Sequence, residues 1–275
     1  MKPIIFKIFT IPVYAYGFML TIAFLGGIFY TIRQAKKENI PSDLILDLAI
    51  YVCIGAIIGS RLVYVWLEWP MYKDNLLSIL NFRLGGLSFH GGFFGGLLMG
   101  IWFVRKKNYS PWKFADMIAP YIPLGYAITR IGCFLNGCCY GIPYRNGQHF
   151  HYLFGWICSE ADWNNYFHHL SVVYRYPTQI YAIILNLIIF SLLHHKRNHN
   201  RFPGYLMFLY VIYYSIYRFI VEIFRESTVL LFGWLRTAQL ASLILALAAW
   251  LAIVVLDKRY KNMAGTGYGK ERIAG

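Results

Sequence analysis

The chain has 275 residues, of which 58% are hydrophobic and only 14% charged, and its mean hydropathy is +0.48. A soluble domain is about 45–50% apolar and about 25% charged, so this composition excludes an ordinary soluble core and falls in the membrane class. The net charge of +14, from 26 Lys and Arg against 12 Asp and Glu, is bunched in short runs between apolar stretches; it reads as membrane topology and sets nucleic acid aside as a partner.

Residues 1–10 carry two lysines and lead into an apolar run with no small-residue cleavage site after it, so targeting is expected to rest on the first span itself. An apolar run of about 20 residues crosses a bilayer as a helix. Seven such runs follow in order: 13–31, 44–65, 91–104, 114–135, 177–193, 204–224 and 239–256. The third is short and is expected either to begin near Gly85 or to be packed inside the bundle. The dense basic clusters are Arg33 with Lys36 and Lys37, Arg105–Lys107, Lys196 with Arg197 and Arg201, and Lys258 with Arg259 and Lys261. They follow spans one, three, five and seven, which puts the N-terminus outside and the C-terminus in the cytoplasm by the positive-inside rule. Residues 68–84 are expected outside, with Trp66, Trp69 and Tyr72 as interfacial anchors. Residues 140–176 are expected to form a small extracytoplasmic cap, and 262–275 a flexible tail behind a membrane domain of residues 1–261. The expected fold is an all-α bundle of seven transmembrane helices.

A charged side chain at mid-bilayer costs about 2.5–3.5 kcal/mol and marks function by default. Arg218, Glu222 and Arg225 lie in span six at i, i+4 and i+7, a spacing that places them on one helix face, so that Glu222 can hold one arginine and leave the other open. Arg130 lies in span four and Arg61 in span two. The nearest acids are Glu222, Asp47 and Asp116, too few to neutralise the set. A cationic pocket in a membrane calls for a phospholipid phosphate, which guanidinium matches bidentately. His90 sits in a glycine-rich stretch, Gly91-Gly92 and Gly95-Gly96, where backbones or a lipid approach closely; a histidine there is either a proton acceptor or a satisfied polar group at a helix end. Tyr16 and Gln179 add polar groups expected to face the bundle interior.

These stretches, in order and over nearly the whole chain, resemble the prolipoprotein diacylglyceryl transferase family. The resemblance is carried by Tyr16-Gly17, Gly59-Ser60-Arg61-Leu62, Gly86-Leu87-Ser88-Phe89-His90-Gly91-Gly92, Arg130-Ile131-Gly132 with Phe134, Asn136 and Gly137, Pro177-Thr178-Gln179-Ile180-Tyr181, Tyr217-Arg218-Phe219 with Glu222 and Arg225, and Gln239. It implies transfer of the diacylglyceryl group of phosphatidylglycerol to the lipobox cysteine thiol in the signal peptide of a preprolipoprotein, in the bacterial plasma (inner) membrane and without a cofactor. On that reading Arg130, Arg218 and Arg225 neutralise the departing phosphate, and His90 takes the proton of the incoming thiol. Tyr16, Asn136 and Gln179 orient headgroup or peptide, with Arg61, Glu222 and Gln239 in the substrate-binding set. The chain departs from the family pattern at Cys133 and Cys138, which stand where Asn and Glu are usual, and at Tyr176 and Ala182, which stand where His and Glu are usual. Such changes leave open a paralogue with another acceptor or with thiol chemistry, and a phospholipid-binding or transport protein without catalysis.

Five cysteines occur: Cys53, expected in the core, and Cys133, Cys138, Cys139 and Cys158 near the outer face. For the last four, four readings compete: a disulfide from Cys138 or Cys139 to Cys158, free thiols, a metal held by Cys133, Cys138 and Cys139 with a cap histidine, and a covalent thiol intermediate at Cys138. No metal site is assigned among them.

Overall fold

The computed structural model describes residues 4–9, 11–73, 75–80, 86–142, 156–158, 173–199, 201–225, 230–231 and 235–265. Most of them are helical. Two compact units divide the chain, one built from Met1–Gly27 and Ile118–Lys270, the other chiefly from Ile28–Met117.

The chain opens with a hairpin that the helical pattern did not announce, β1 (Ile4–Ile8) against β2 (Ile11–Tyr14), with Lys7 opposite Pro12. Helix α1 (Ala15–Lys37) follows without a break and ends on Lys36 and Lys37, cations that suit the negative end of the helix dipole. Helix α2 (Ser42–Leu67) starts behind Pro41, and a short turn, α3 (Trp69–Tyr72), closes the corner. Helix α4 (Phe89–Lys106) begins where Ser88 Oγ accepts the Gly91 amide, so the third span starts four residues later than Gly85.

The fourth expected span is not one helix. Helix α5 (Pro111–Ile118) ends before Pro120, and α6 (Tyr121–Asn136) begins after it. Proline lacks an amide donor and its ring collides with the preceding turn, so 114–135 cannot run as one cylinder. Helix α7 (Thr178–Lys196) starts behind Pro177, α8 (Tyr205–Glu222) behind Gly204, and α9 (Thr237–Gly265) carries the basic residues Lys258, Arg259 and Lys261 within the helix itself. Two small hairpins complete the elements: β3 (Trp156–Cys158) with β4 (Val173–Arg175), and β5 (Leu230–Leu231) with β6 (Leu235–Arg236).

Among the described residues, five helices are long and apolar enough to cross a membrane: α1, α2, α7, α8 and α9. The broken pair α5–α6 makes a sixth if taken as one crossing. Helix α4 has the length, but His90, five glycines and Arg105–Lys106 dilute its apolar character. The long helices expose apolar side chains along their flanks, such as Leu243, Leu247, Leu251 and Val254 on α9, as a helix in lipid does.

In the second unit α2 packs on α4 through glycine. A Cβ on Gly55 would lie 2.5 Å from the Gly95 carbonyl oxygen, and one on Gly59 would lie 2.8 Å from Gly95 Cα. Gly91 and Gly95 face Gly59 and Gly55 in return. Small residues four apart on both helices bring the backbones together, the device that holds helices where the hydrophobic effect cannot. Ala35, Ile40, Ile45, Leu48, Phe103, Val104, Phe114 and Met117 form the apolar core beside it.

In the first unit the core runs along α7 and α8, through Ala182, Ile189, Leu193, Leu206, Leu209, Tyr217 and Val221, with Phe202 and Tyr205 at the turn between them. Phe202 stacks on Tyr260 of α9. Asp257 of α9 pairs with Lys261 at 2.8 Å and with Arg201 at 3.7 Å.

Candidate active site

Arg130 sits two turns from the end of α6, half-buried. Its guanidinium donates to the Tyr126 hydroxyl one turn earlier and lies over the Tyr126 ring, 4.7 Å from the centroid. The Tyr217 hydroxyl donates to Tyr126 at 3.2 Å, and Tyr214 packs edge-on to Tyr126. Phenols therefore surround this cation, and among the described residues no carboxylate reaches it. A guanidinium has five N–H donors and no way to discharge, so one held by phenols alone retains capacity for an anion.

Arg218 and Glu222 form the ion pair that their spacing allows, at 3.0 Å, with the Glu222 side chain only 4% exposed. Arg225 lies three residues beyond Glu222, past the end of the helix. The helix ends at Glu222, and the amides of Ile223, Phe224 and Arg225 bond three residues back rather than four. This tighter turn advances the chain by about 120° per residue instead of about 100°, so over three residues Arg225 returns to the azimuth of Glu222 and stays by the stripe. Half-buried, Arg225 has no carboxylate partner among the described residues.

The segment after α6 is held against the starts and ends of its neighbours. Gly137 turns left-handed at φ 74°, and the Cys138 amide donates to the Cys133 carbonyl at 3.1 Å, a Schellman closure. Cys139 is left-handed too, at φ 67°. Gln179 Nε2 donates to the Cys138 carbonyl at 2.7 Å and Thr178 Oγ1 to the Cys139 carbonyl at 2.8 Å. Ile142 N–H reaches the Phe224 carbonyl at 2.8 Å, one residue before Arg225. Gly141 is wedged between Phe224, Thr178 and Tyr176, where a Cβ would lie 2.9 Å from the side chains of both Thr178 and Tyr176.

Three of the four cysteines expected near the outer face, Cys133, Cys138 and Cys139, converge here, their Sγ atoms all within 4.8 Å of one another. Cys133 is buried, Cys138 half-buried and Cys139 exposed, and with Cys53 they are free thiols. A hydrogen bond from the Cys133 thiol pulls the Cys139 thiol down to about 5, helped by the Cys138 thiol and the charges of Arg130 and Arg225. Burial pushes Cys138 up instead, and the charge on Cys139 adds to it. The side chain of Cys158, and with it the expected disulfide, lies outside the described residues, as does most of the expected cap.

The remaining expected site residues fall in different surroundings. Asn136 closes α6 within hydrogen-bond reach of the Cys138 thiol. Gln179 is fully buried, with its Oε1 unpartnered. Tyr16 is 42% exposed, with its Cα packed on Gly132 of α6 and its side chain within electrostatic reach of Cys133, Cys139 and Arg130. Gln239 Oε1 accepts the Arg236 amide at 3.2 Å, half of a capping box at the start of α9. Arg61 and His90 belong to the other unit. His90 is exposed in the first turn of α4, beside the Phe89 ring.

Arg61 is only 3% exposed, and loop carbonyls take up its donors: Nε to Ile79 at 2.8 Å, Nη1 to Gly86 at 3.1 Å and Nη2 to Ser78 at 3.1 Å. The Tyr72 ring lies under it at 5.4 Å, so Tyr72 is buried rather than an interfacial anchor, while Trp66 and Trp69 are exposed. Asp47 and Asp116 lie in this second unit as well.

Sequence reading passed over Tyr126 and Tyr214, and gave Tyr217 no role beyond its place in the Tyr217-Arg218-Phe219 stretch. Their signal was present, since Tyr126 precedes Arg130 by four residues and Tyr214 precedes Arg218 by four.

Fold and site together define a multi-helix membrane protein with a cationic polar centre inside one of its units. Residues 3–255 match the profile of the prolipoprotein diacylglyceryl transferases, and the chain belongs to that family, a family of transferases. It is 36% identical over 261 residues to the phosphatidylglycerol–prolipoprotein diacylglyceryl transferase of Bacillus cereus (strain G9842), covering 91% of this chain and 93% of the relative. The proteins of the same name from Bacillus anthracis (strain A0248) and Bacillus thuringiensis subsp. konkukian (strain 97-27) are similar to the same degree, at 36% over 261 residues.

Proposed function

We propose that this chain transfers the diacylglyceryl group of phosphatidylglycerol to the lipobox cysteine thiol of a preprolipoprotein signal peptide. In this reading it spans the bacterial plasma membrane seven times, α4 included, with the N-terminus outside, residues 140–176 as an extracytoplasmic cap and a short cytoplasmic tail. The basic residues closing α1, α4 and α7 support that orientation.

The acceptor sulfur attacks the glyceryl carbon that bears the phosphate. A C–S bond forms as the C–O bond breaks, the electron pair leaves on the phosphate oxygen, and glycerol phosphate departs. The thiol proton goes to solvent. Negative charge grows on the leaving phosphate, and a guanidinium fixed beside it before reaction lowers the barrier without reorganising. Arg130 and Arg225 take that role. Arg218, held by Glu222, sets the local field, while Tyr16, Asn136 and Gln179 frame the headgroup and peptide. Arg61 and Gln239 act by holding a loop and a helix start.

The observation that carries the reading is Arg130, a half-buried guanidinium bonded to a phenol and to no carboxylate among the described residues. The test gives the purified chain phosphatidylglycerol and a lipobox peptide and follows the peptide by mass. A diacylglyceryl adduct that disappears in Arg130→Ala is expected. No adduct under conditions where the Bacillus cereus relative makes one overturns the assignment.

A further inference from the structure

The transfer as proposed uses no thiol of this chain, yet three thiols are gathered at one point. Cys133, Cys138 and Cys139 have their sulfurs within 4.8 Å of one another, and the backbone, not chance rotamers, brings them there. The Schellman turn at Gly137 folds Cys138 back onto the last turn of α6. Cys139 then adopts a left-handed conformation, which costs a side-chain-bearing residue about 1–2 kcal/mol. Gln179 and Thr178 fix the two carbonyls from outside.

A zinc-class ion binds thiolate sulfur at about 2.3 Å, which requires sulfurs about 3.8–4.0 Å apart in tetrahedral or trigonal arrangement. The sulfurs, all within 4.8 Å of one another, lie within about 1 Å of that spacing. All-sulfur ligation selects thiophilic cations and rejects Mg2+ and Ca2+. Three thiolates around a divalent ion leave one net negative charge, and the Arg130 guanidinium, close enough to act on Cys133 and Cys139, balances it. Among the described residues no fourth Cys, His, Asp or Glu joins the group.

We propose that Cys133, Cys138 and Cys139 bind one thiophilic metal ion of the Zn2+ class, tying the end of α6 to the loop that follows it. Each thiol gives up its proton to solvent as its metal–sulfur bond forms. The site does not depend on the transferase reading, and its test does not read transfer.

The full chain carrying Cys53→Ser and Cys158→Ser keeps only the three clustered thiols. In detergent, reduced, anaerobic and metal-free, it is titrated with Cd2+ while thiolate-to-metal charge-transfer absorption is followed. Saturation at one Cd2+ per chain is expected, with the band displaced by Zn2+. Each of Cys133→Ser, Cys138→Ser and Cys139→Ser removes about one third of the band and weakens binding about tenfold or more. Because a serine variant can misfold, the thermal midpoint of the parent is measured with and without Zn2+, and a rise is expected. A folded, reduced parent with no saturable band and no rise overturns the proposal. So does a band that keeps its intensity when Cys138 and Cys139 are both serine.

Discussion

Arg61 Nη1 donates to the carbonyl oxygen of Gly86 at 3.1 Å, across 25 residues of sequence. With Ile79 and Ser78 it makes one guanidinium the pin of a whole loop. Arg61→Ala leaves these carbonyls unsatisfied, and hydrogen bonds from a charged donor are worth about 1.5–3 kcal/mol each. The expected outcome is a clear fall in the thermal midpoint in detergent. Arg61→Lys rescues it only in part, because an ammonium cannot reproduce the planar fork. A midpoint unchanged in Arg61→Ala would show that the loop stands without the pin.

The glycines between α2 and α4 are not equivalent. A Cβ on Gly92 meets Ala56 O at 3.4 Å and Ser60 Cβ at 3.5 Å, ordinary contact, whereas one on Gly59 falls inside the opposite backbone. Gly92→Ala is expected to leave stability within about 0.5 kcal/mol, as a substitution that disturbs no packed feature does. Gly59→Leu is expected to destabilise by about 1–3 kcal/mol or more as the helices are forced apart. Thermal unfolding of the two variants side by side decides it.

Arg218 and Glu222 should prove energetically coupled. Glu222→Gln removes the acid of a pair whose carboxylate is almost fully enclosed, and breaking such a pair costs about 3–5 kcal/mol. The double variant Arg218→Gln with Glu222→Gln should recover much of the loss. Arg225→Ala, with no carboxylate lost, should leave the midpoint nearly unchanged while lowering transfer. A double-mutant cycle on unfolding and an assay of the single variants separate these roles.

Tyr126 stands between Arg130 and Tyr217, and its hydroxyl serves both. Tyr126→Phe keeps the ring beneath the guanidinium and deletes the hydrogen bond that aims it. Transfer is expected to fall by about tenfold, the equivalent of one modest hydrogen bond. Arg130→Ala should cost about 10²–10³-fold, as loss of a donor to developing charge does. Equal activity of Tyr126→Phe and the parent would mean that Arg130 needs no orienting partner.

The helices were legible because apolar length and proline punctuation are local properties. The Arg218–Glu222 pair was legible for the same reason, since helical spacing puts the two a turn apart. The end of the helix at Glu222, short of Arg225, was not legible, because a tight turn and a spanning helix look alike in an apolar run. Arg61 was assigned to a lipid pocket because charge in a membrane implies function. Its actual partners are backbone carbonyls 17–25 residues away, which no side-chain pattern announces. The thiol cluster stayed one of four readings because it depends on a left-handed Cys139, a conformation that sequence attributes to glycine.

The stretch from Cys138 to Ile142 is attached to its surroundings through main-chain groups. The carbonyls of Cys138 and Cys139 and the amides of Gly141 and Ile142 make the links, and Gly141 has no room for a side chain. The scaffold thus fixes where the side chains at 138 and 139 stand while remaining indifferent to what they are. Positions of that kind are where a lineage can exchange an acid for a thiol next to a working guanidinium and keep its shape, so new reactivity can arise there without the fold having to be rebuilt.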